Sequence, residues 1–281
     1  MDRNLIFDVG MHDGADSAFY LAKGFDVVAI EANPALLAAA RERFAQEIAA
    51  GRLRLIDAAI AETTGRTHMA VSDSVDAWSS LSKDFIARSE AIGVKYRYVE
   101  VATVSFPELL ATAGVPYYLK VDIEGLDMLV IRGLRSSPDR PAYISIESNV
   151  SANHAPFGLV LEELTELSRL GYRSFQYVNQ RLSPKIRMPY PAREGTYVDV
   201  RFSGHESGSF GRELGGRWLS MPQALGWAQV LRIRQNLGGL GGRWRGTTPG
   251  WGYSEARRRL LKREHSWYDL HARLGGPPDA R

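Results

Sequence analysis

The sequence predicts a doubly wound α/β fold with a mostly parallel sheet, and three observations carry that prediction. Short apolar runs alternate with helical stretches along most of the chain, the pattern of repeated βαβ units. The first run, Leu5-Ile6-Phe7-Asp8-Val9-Gly10-Met11-His12-Asp13-Gly14, passes from apolar residues into acids and two glycines. A buried parallel strand reads this way when it opens onto a tight turn. Successive runs also end on acids, at Asp8, Glu31, Asp57, Asp122 with Glu124, and Glu147. Ligands of open α/β sheets bind at that carboxyl edge.

Each element follows from local signals. Residues 16–23 form a helix that Gly24 stops. Residues 25–30 are the second strand. Asn33-Pro34 opens a long helix over 35–49, rich in Ala, Leu, Arg and Glu and ended by Gly51. Residues 53–56 are the third strand, closing on Asp57 and Ala58. Residues 64–71 read as a hairpin limb turning at Gly65, and 96–103 alternate as a further strand. A short helix over 106–113 ends at Gly114. Tyr117-Tyr118-Leu119-Lys120-Val121-Asp122 is a core strand, followed by a helix to Arg132. Residues 142–146 make a fifth parallel strand, and 159–170 a helix stopped by Gly171. Residues 172–178 and 196–202 are expected as an antiparallel pair at one edge.

The glycine spacing selects the ligand. A dinucleotide fold uses G-x-G-x-x-G to seat a pyrophosphate on a helix N-terminus. Here Asp8, Gly10 and Gly14 stand without a third glycine, and Asp8 and Asp13 would repel a pyrophosphate. S-adenosyl-L-methionine fits better, with its ribose, sulfonium and α-ammonium and no phosphate. Glu31 ends the second strand, where a βαβ fold holds a ribose hydroxyl pair. Asp8, Gly10, His12, Gly14, Glu31, Asp57 and Ala58 are therefore the expected cofactor-binding residues, with His12 near the methionine carboxylate.

Composition narrows the class. At 44% hydrophobic residues over 281 positions, the chain supports a large core. No apolar stretch approaches the ~20 residues of a membrane span, and the first strand begins too near Met1 for a signal peptide. There are no cysteines, which excludes disulfides, thiolate metal sites and a cysteine nucleophile. A cytoplasmic protein is expected, with homo-oligomerisation left open. Charge is uneven: residues 201–281 hold 14 Lys+Arg and 6 Asp+Glu, with five of the six tryptophans. The expected division is a cofactor-binding domain over 1–202 and a basic Gly/Arg/Trp-rich extension over 203–281, packed on the domain or on a partner subunit. Its arginines are expected to give the acceptor side a positive rim.

The ordered motifs Phe7-Asp8-Val9-Gly10, Ala29-Ile30-Glu31-Ala32-Asn33-Pro34, Ser79-Ser80-Leu81 and Leu119-Lys120-Val121-Asp122-Ile123-Glu124-Gly125 resemble the FkbM family of S-adenosylmethionine-dependent methyltransferases over residues 4–150. The resemblance implies a class I, Rossmann-like methyltransferase fold. It also implies O-methylation of a hydroxyl on a small molecule or glycan, such as a sugar or secondary metabolite. It brings Ser80 into the cofactor site, with Trp78 a candidate to stack on adenine or sugar. The chain departs from the family pattern at Met11-His12-Asp13 and Val104-Ser105-Phe106.

A hydroxyl acceptor benefits from a general base or a polarising cation. Glu124 is expected to orient or deprotonate it, and Asp122 to line the methionine end of the cofactor. Glu124 could instead cap the following helix. His154, beyond the fifth strand, is a further candidate base. No residue is assigned as a metal ligand. A Mg²⁺ shared by Asp122, Glu124 and Glu147 is the alternative to protons in that crevice. Two other functions compete: an NAD-dependent oxidoreductase or epimerase, and a nucleoside-binding module without chemistry. The missing third glycine and the absent Tyr-x-x-x-Lys pair count against the first. No nucleic-acid partner is expected, because Asp122-Ile123-Glu124-Gly125 is not the loop of a DNA amino-methyltransferase.

Overall fold

The computed structural model describes residues 2–72, 79–151, 156–204, 206–243 and 267–275. Its main sheet has seven strands in the order β3-β2-β1-β7-β8-β10-β9. They are β1 (Asp2–Val9), β2 (Asp26–Glu31), β3 (Leu53–Asp57), β7 (Pro116–Val121), β8 (Tyr143–Glu147), β9 (Tyr172–Asn179) and β10 (Tyr268–Leu274). The first five run parallel to one another, whereas β10 runs antiparallel to both β8 and β9. A second, three-stranded sheet joins β4 (Ala59–Ala61), β6 (Tyr96–Ser105) and β5 (Gly65–Ser72).

Strand alternation sends two sets of side chains to two cores. Phe7, Val9, Leu119, Val121, Ile144, Ile146 and Leu270 face α5 (Phe106–Ala113), α6 (Asp127–Gly133), α7 (Phe157–Arg169) and α8 (Met221–Arg243). Ile6, Val27, Ala29, Tyr118 and Tyr143 face the other way. There they meet α1 (Ala15–Ala22), α2 (Pro34–Arg43), α3 (Ala45–Ala49) and, from beyond them, Phe202 and Phe210. Phe210 stacks on Tyr118 at 4.7 Å and meets Tyr20 edge-on at 5.3 Å. No helix among the described residues is long and apolar enough to cross a membrane.

The structure corrects three readings of the sequence. The helix expected over 35–49 breaks at Phe44 (φ −108°). The Phe44 ring fills the space beside Gly14, where an added Cβ would lie 2.6 Å from it. Residues 196–202 form no strand. Their expected place beside residues 172–178 belongs to Tyr268–Leu274, which pairs with β9 from Tyr172 to Asn179. The 196–202 stretch instead lies on α1, where the Thr196 amide donates to the Lys23 carbonyl at 2.8 Å.

The third correction concerns the division at residue 202, which marks a change of composition and not of fold. Beyond it lie an inner strand of the sheet, between β8 and β9, the Phe210 ring in the core and Glu213, which forms a buried 2.9 Å ion pair with Lys23. Four described arginines of this stretch have partners within the chain. Arg212 pairs with Glu194, Arg232 donates to the Asn149 carbonyl, and Arg234 and Arg273 lie over Trp227 and Trp218.

Candidate functional site

The strand order reverses between β1 and β7, and a cleft of about 170 Å³ opens there at the carboxyl ends of the strands. At the reversal two backbones are pressed together. Gly10 has φ +83°, and a Cβ on it would lie 1.8 Å from the Asp122 carbonyl oxygen. The glycine therefore serves close approach and a left-handed conformation at once.

Behind the turn lies a buried cluster of three charges. Lys120 occupies the face that alternation also gives to Tyr118 and Asp122. Its Nζ lies 3.1 Å from Asp8 Oδ1 and 3.6 Å from Asp16 Oδ2, and donates to the Gly10 carbonyl at 2.9 Å. Ser17 donates to the other oxygen of Asp8 at 2.7 Å, and Asp16 accepts from the Ser207 amide at 3.0 Å. Burial alone would lower the Lys120 pKa, but Asp8 and Asp16 more than reverse this and hold it well above the ordinary value. Burial also raises Asp16 to about 6, against the opposing pull of Lys120.

Glu31 closes β2 on the opposite rim. Its Oε1 accepts from the amides of Ala32 (2.9 Å) and Asn33 (2.8 Å), and its Oε2 from that of His12 (2.9 Å). The carboxylate is thus fixed in place, with lone pairs left for hydroxyl donors. Burial raises its pKa, and those three amides oppose the shift. Ala58, Ile60 and Met69, from the β3 end and the small sheet, complete an apolar wall on this side. His12 is itself held at φ +53°.

Across the cleft three carboxylates converge. Oxygens of Asp122, Glu124 and Glu147 all lie within 4.8 Å of one another. Glu124 takes φ +50° and is followed by Gly125 at φ +94°, so the chain turns sharply after β7. The Glu124 carbonyl accepts from Ser80 Oγ at 2.8 Å. Burial, then Glu147 and Asp122, push the Glu124 carboxyl well above the usual range. Burial, then Asp122 and Glu163, push Glu147 up to about 8. Asp269, opposite Glu147 in the β8–β10 register, and Asp127, in the first turn of α6, are also raised by burial and by Asp122 and Glu147.

A carboxyl with a higher pKa folded than unfolded contributes stability fully below its unfolded value, here 4.5. That contribution is lost as pH rises through the folded value of about 8. Glu147→Gln cannot ionise. It should therefore exceed the unsubstituted protein in stability by on the order of 2–4 kcal/mol at about pH 9 and match it near pH 4. Thermal melts across that range check this, and parallel pH profiles for the two proteins would contradict it.

Of the residues expected from sequence, Gly10, His12, Glu31, Ala58, Ser80, Asp122 and Glu124 line the cleft. Three do not. Asp8 is turned beneath the turn toward Lys120, Gly14 lies against Phe44, and Asp57 pairs with Arg41 at 2.9 Å on the surface. His154 and Trp78 lie outside the described residues. Sequence reading gave Lys120 no role, although a lysine inside an apolar strand was the available signal. Asp16, which also lines the cleft, carries no sequence signal beyond the start of a helix.

Comparison with known proteins bears on this geometry. The Methyltransferase FkbM domain matches residues 8–174. No curated protein is similar in sequence to the chain. Among solved structures, the methyltransferase FkbM of Methylobacillus flagellatus KT shares 20% identity, with a TM-score of 0.41, over 69% of this chain and 42% of that one. The chain thus spans less than half of that protein. The precorrin-6y C5,15-methyltransferase of Geobacter metallireducens GS-15 shares 11% identity over 98% and 82% of the two chains, with a TM-score of 0.38. A SAM-dependent methyltransferase of Thiobacillus denitrificans, solved with S-adenosyl-L-homocysteine, shares 10% over 97% and 86%, with a TM-score of 0.37. The sequence match, rather than these distant likenesses, decides the family.

Proposed function

Because the chain belongs to the FkbM methyltransferase family, we propose that it transfers a methyl group from S-adenosyl-L-methionine to a hydroxyl of a sugar, glycan or secondary metabolite. The observation that carries this reading is one cleft joining Glu31, at the end of β2, to Asp122 and Glu124, at the end of β7, across the Gly10 turn. The ribose hydroxyls would donate to Glu31, and the adenine would lie against Ile60 and Met69. The methionine end would follow the 10–14 turn past His12, which leaves the methyl group toward Asp122 and Glu124.

Methyl transfer from a sulfonium is an in-line displacement by an already activated donor, so positioning supplies much of the catalysis. The acceptor oxygen attacks the methyl carbon, the carbon–sulfur bond breaks, and the hydroxyl proton must leave. Burial and the neighbouring Glu147 and Asp122 raise the Glu124 carboxyl, which makes its carboxylate a better proton acceptor. In this reading Glu124, beside Glu147, would take that role, and Asp122 would line the methyl position. Should Mg²⁺ seat among the three instead, it would polarise the hydroxyl without a base.

The reading is tested by calorimetric titration with S-adenosyl-L-homocysteine. Glu31→Ala should weaken binding by about 1–3 kcal/mol, the range for a lost charge-assisted hydrogen-bond pair. Unchanged affinity would remove Glu31 from the ribose site. Binding of NADH in place of S-adenosyl-L-homocysteine would favour the oxidoreductase. Cofactor binding with no product one methylene heavier, in cell extracts searched by mass spectrometry, would favour a module without chemistry. Turnover abolished by EDTA and restored by Mg²⁺ would move the role from base to metal.

A further inference from the structure

The three convergent carboxylates repel one another, so something outside them must hold Glu147 in place. Glu147 is the last residue of β8, and the turn that follows it, residues 148–151, is tied from three sides. From α7, Glu163 reaches in with a side chain only 1% exposed. Its Oε1 accepts from the Asn149 amide at 2.8 Å and from Asn149 Nδ2 at 2.7 Å, and its Oε2 accepts from Ser148 Oγ at 2.7 Å. Ser148 Oγ in turn accepts from the Val150 amide at 3.2 Å. From α8, Arg232 donates to the Asn149 carbonyl at 2.8 Å. From β10, the Tyr268 carbonyl accepts from the Ser148 amide at 2.9 Å, and the Tyr268 amide donates to Ser151 Oγ at 2.8 Å.

We propose that Glu163 is a positioning residue for the acceptor side of the site. It fixes the 148–151 turn so that the Glu147 carboxylate stays against Asp122 and Glu124, and Arg232 carries part of the same restraint from beyond residue 202. The proposal rests on the methyl-transfer reading for its catalytic meaning, but not for its geometry. A buried carboxylate that satisfies two backbone amides, one directly and one through Ser148, is costly to replace, since its partners would be left without acceptors. Glu163 also acts on Glu147 through space. Its negative charge is among the causes that raise the Glu147 carboxyl, together with burial and Asp122. Glu124, Asp127 and Asp269 are the other acids around this crevice, and Lys120 is the nearby cation.

The test uses the full chain with Glu163→Gln and Arg232→Met, and needs no acceptor. Hydrogen exchange would follow the Asn149 and Val150 amides, and a crystal structure of each variant would locate the Glu147 carboxyl against Asp122 and Glu124. In Glu163→Gln, exchange at both amides should rise at least about tenfold, and the Glu147 carboxyl oxygens should no longer lie within 4.8 Å of those of Asp122 and Glu124. Affinity for S-adenosyl-L-homocysteine should stay within about twofold, because the cofactor rim is not touched. Faster exchange with Glu147 still within that distance would make Glu163 a structural tie only and overturn the proposal, as would unchanged exchange. If Glu163→Gln does not fold, Arg232→Met decides by the same two measurements: faster exchange at Asn149 with Glu147 displaced supports the restraint, and a Glu147 that stays in place refutes it. Failure of the unsubstituted protein to bind S-adenosyl-L-homocysteine would count against the methyltransferase reading alone.

Discussion

Lys120→Met should destabilise the protein by about 3–5 kcal/mol, the range found when one partner of a buried ion pair is removed. In a chain of this size the melting temperature should fall on the order of 10 °C. The reason is the company Lys120 keeps. Asp8 is fully buried and Asp16 nearly so, and Lys120 is the cation paired with both. Methionine matches much of the volume, so packing is largely kept and the lost charge dominates. Two facing carboxylates would then need protons or solvent. The double variant Lys120→Met/Asp8→Asn should regain part of the loss, because one orphaned charge disappears with the cation. If Lys120→Met melts within about 2 °C of the unsubstituted protein, the cluster contributes little and another device must hold the Gly10 turn.

Gly10→Ala should have the second large effect, and it should fall on cofactor binding as well as on stability. The new methyl group would meet the Asp122 carbonyl oxygen at 1.8 Å and its carbon at 2.8 Å. Both atoms belong to backbone, so no side chain can swing aside. Relief would require β1 and β7 to part at their carboxyl ends, where the cleft lies. We expect affinity for S-adenosyl-L-homocysteine to fall at least about a hundredfold, roughly 3 kcal/mol, with a lower melting temperature. Gly51→Ala is the control. Gly51 also has positive φ (+71°), but nothing lies within 4 Å of the added carbon. It should cost only the left-handed strain of about 1–2 kcal/mol and leave binding intact. Equal effects from the two substitutions would show that conformation alone, not close approach, explains Gly10.

The strand-and-turn grammar of residues 5–147 was legible because each βαβ unit is local. A glycine after an apolar run, or an acid at a strand end, can be read without knowing what packs where. Which way a side chain points was less legible. Asp8 and Asp122 both end apolar runs at the same edge, yet Lys120 draws Asp8 under the turn while Asp122 stays on the cleft. Motif and spacing do not encode that difference; it depends on a lysine one strand away. The pairing of β9 was not legible at all. Its partner Tyr268–Leu274 stands in an Arg- and Gly-rich stretch far along the chain, and the nearer 196–202 stretch carried a similar alternation. The break at Phe44 was hidden for the same reason: the ring is needed beside Gly14, a contact between separate elements.

The position of β10 has a consequence for how the chain reaches its native state. β8 and β9 precede it in sequence, yet each finds one of its hydrogen-bonding neighbours only when Tyr268–Leu274 slots between them. Until then both present open edges rich in β-branched and aromatic residues, templates for pairing with another chain. A growing polypeptide at that stage would have one rim of the cleft, the β1 turn and Glu31, already synthesised. The floor under Glu147 would still be missing. Ligand-assisted assembly of the first half and late closure of the second would then be separable kinetic events, with the risk of self-association concentrated in the interval between them.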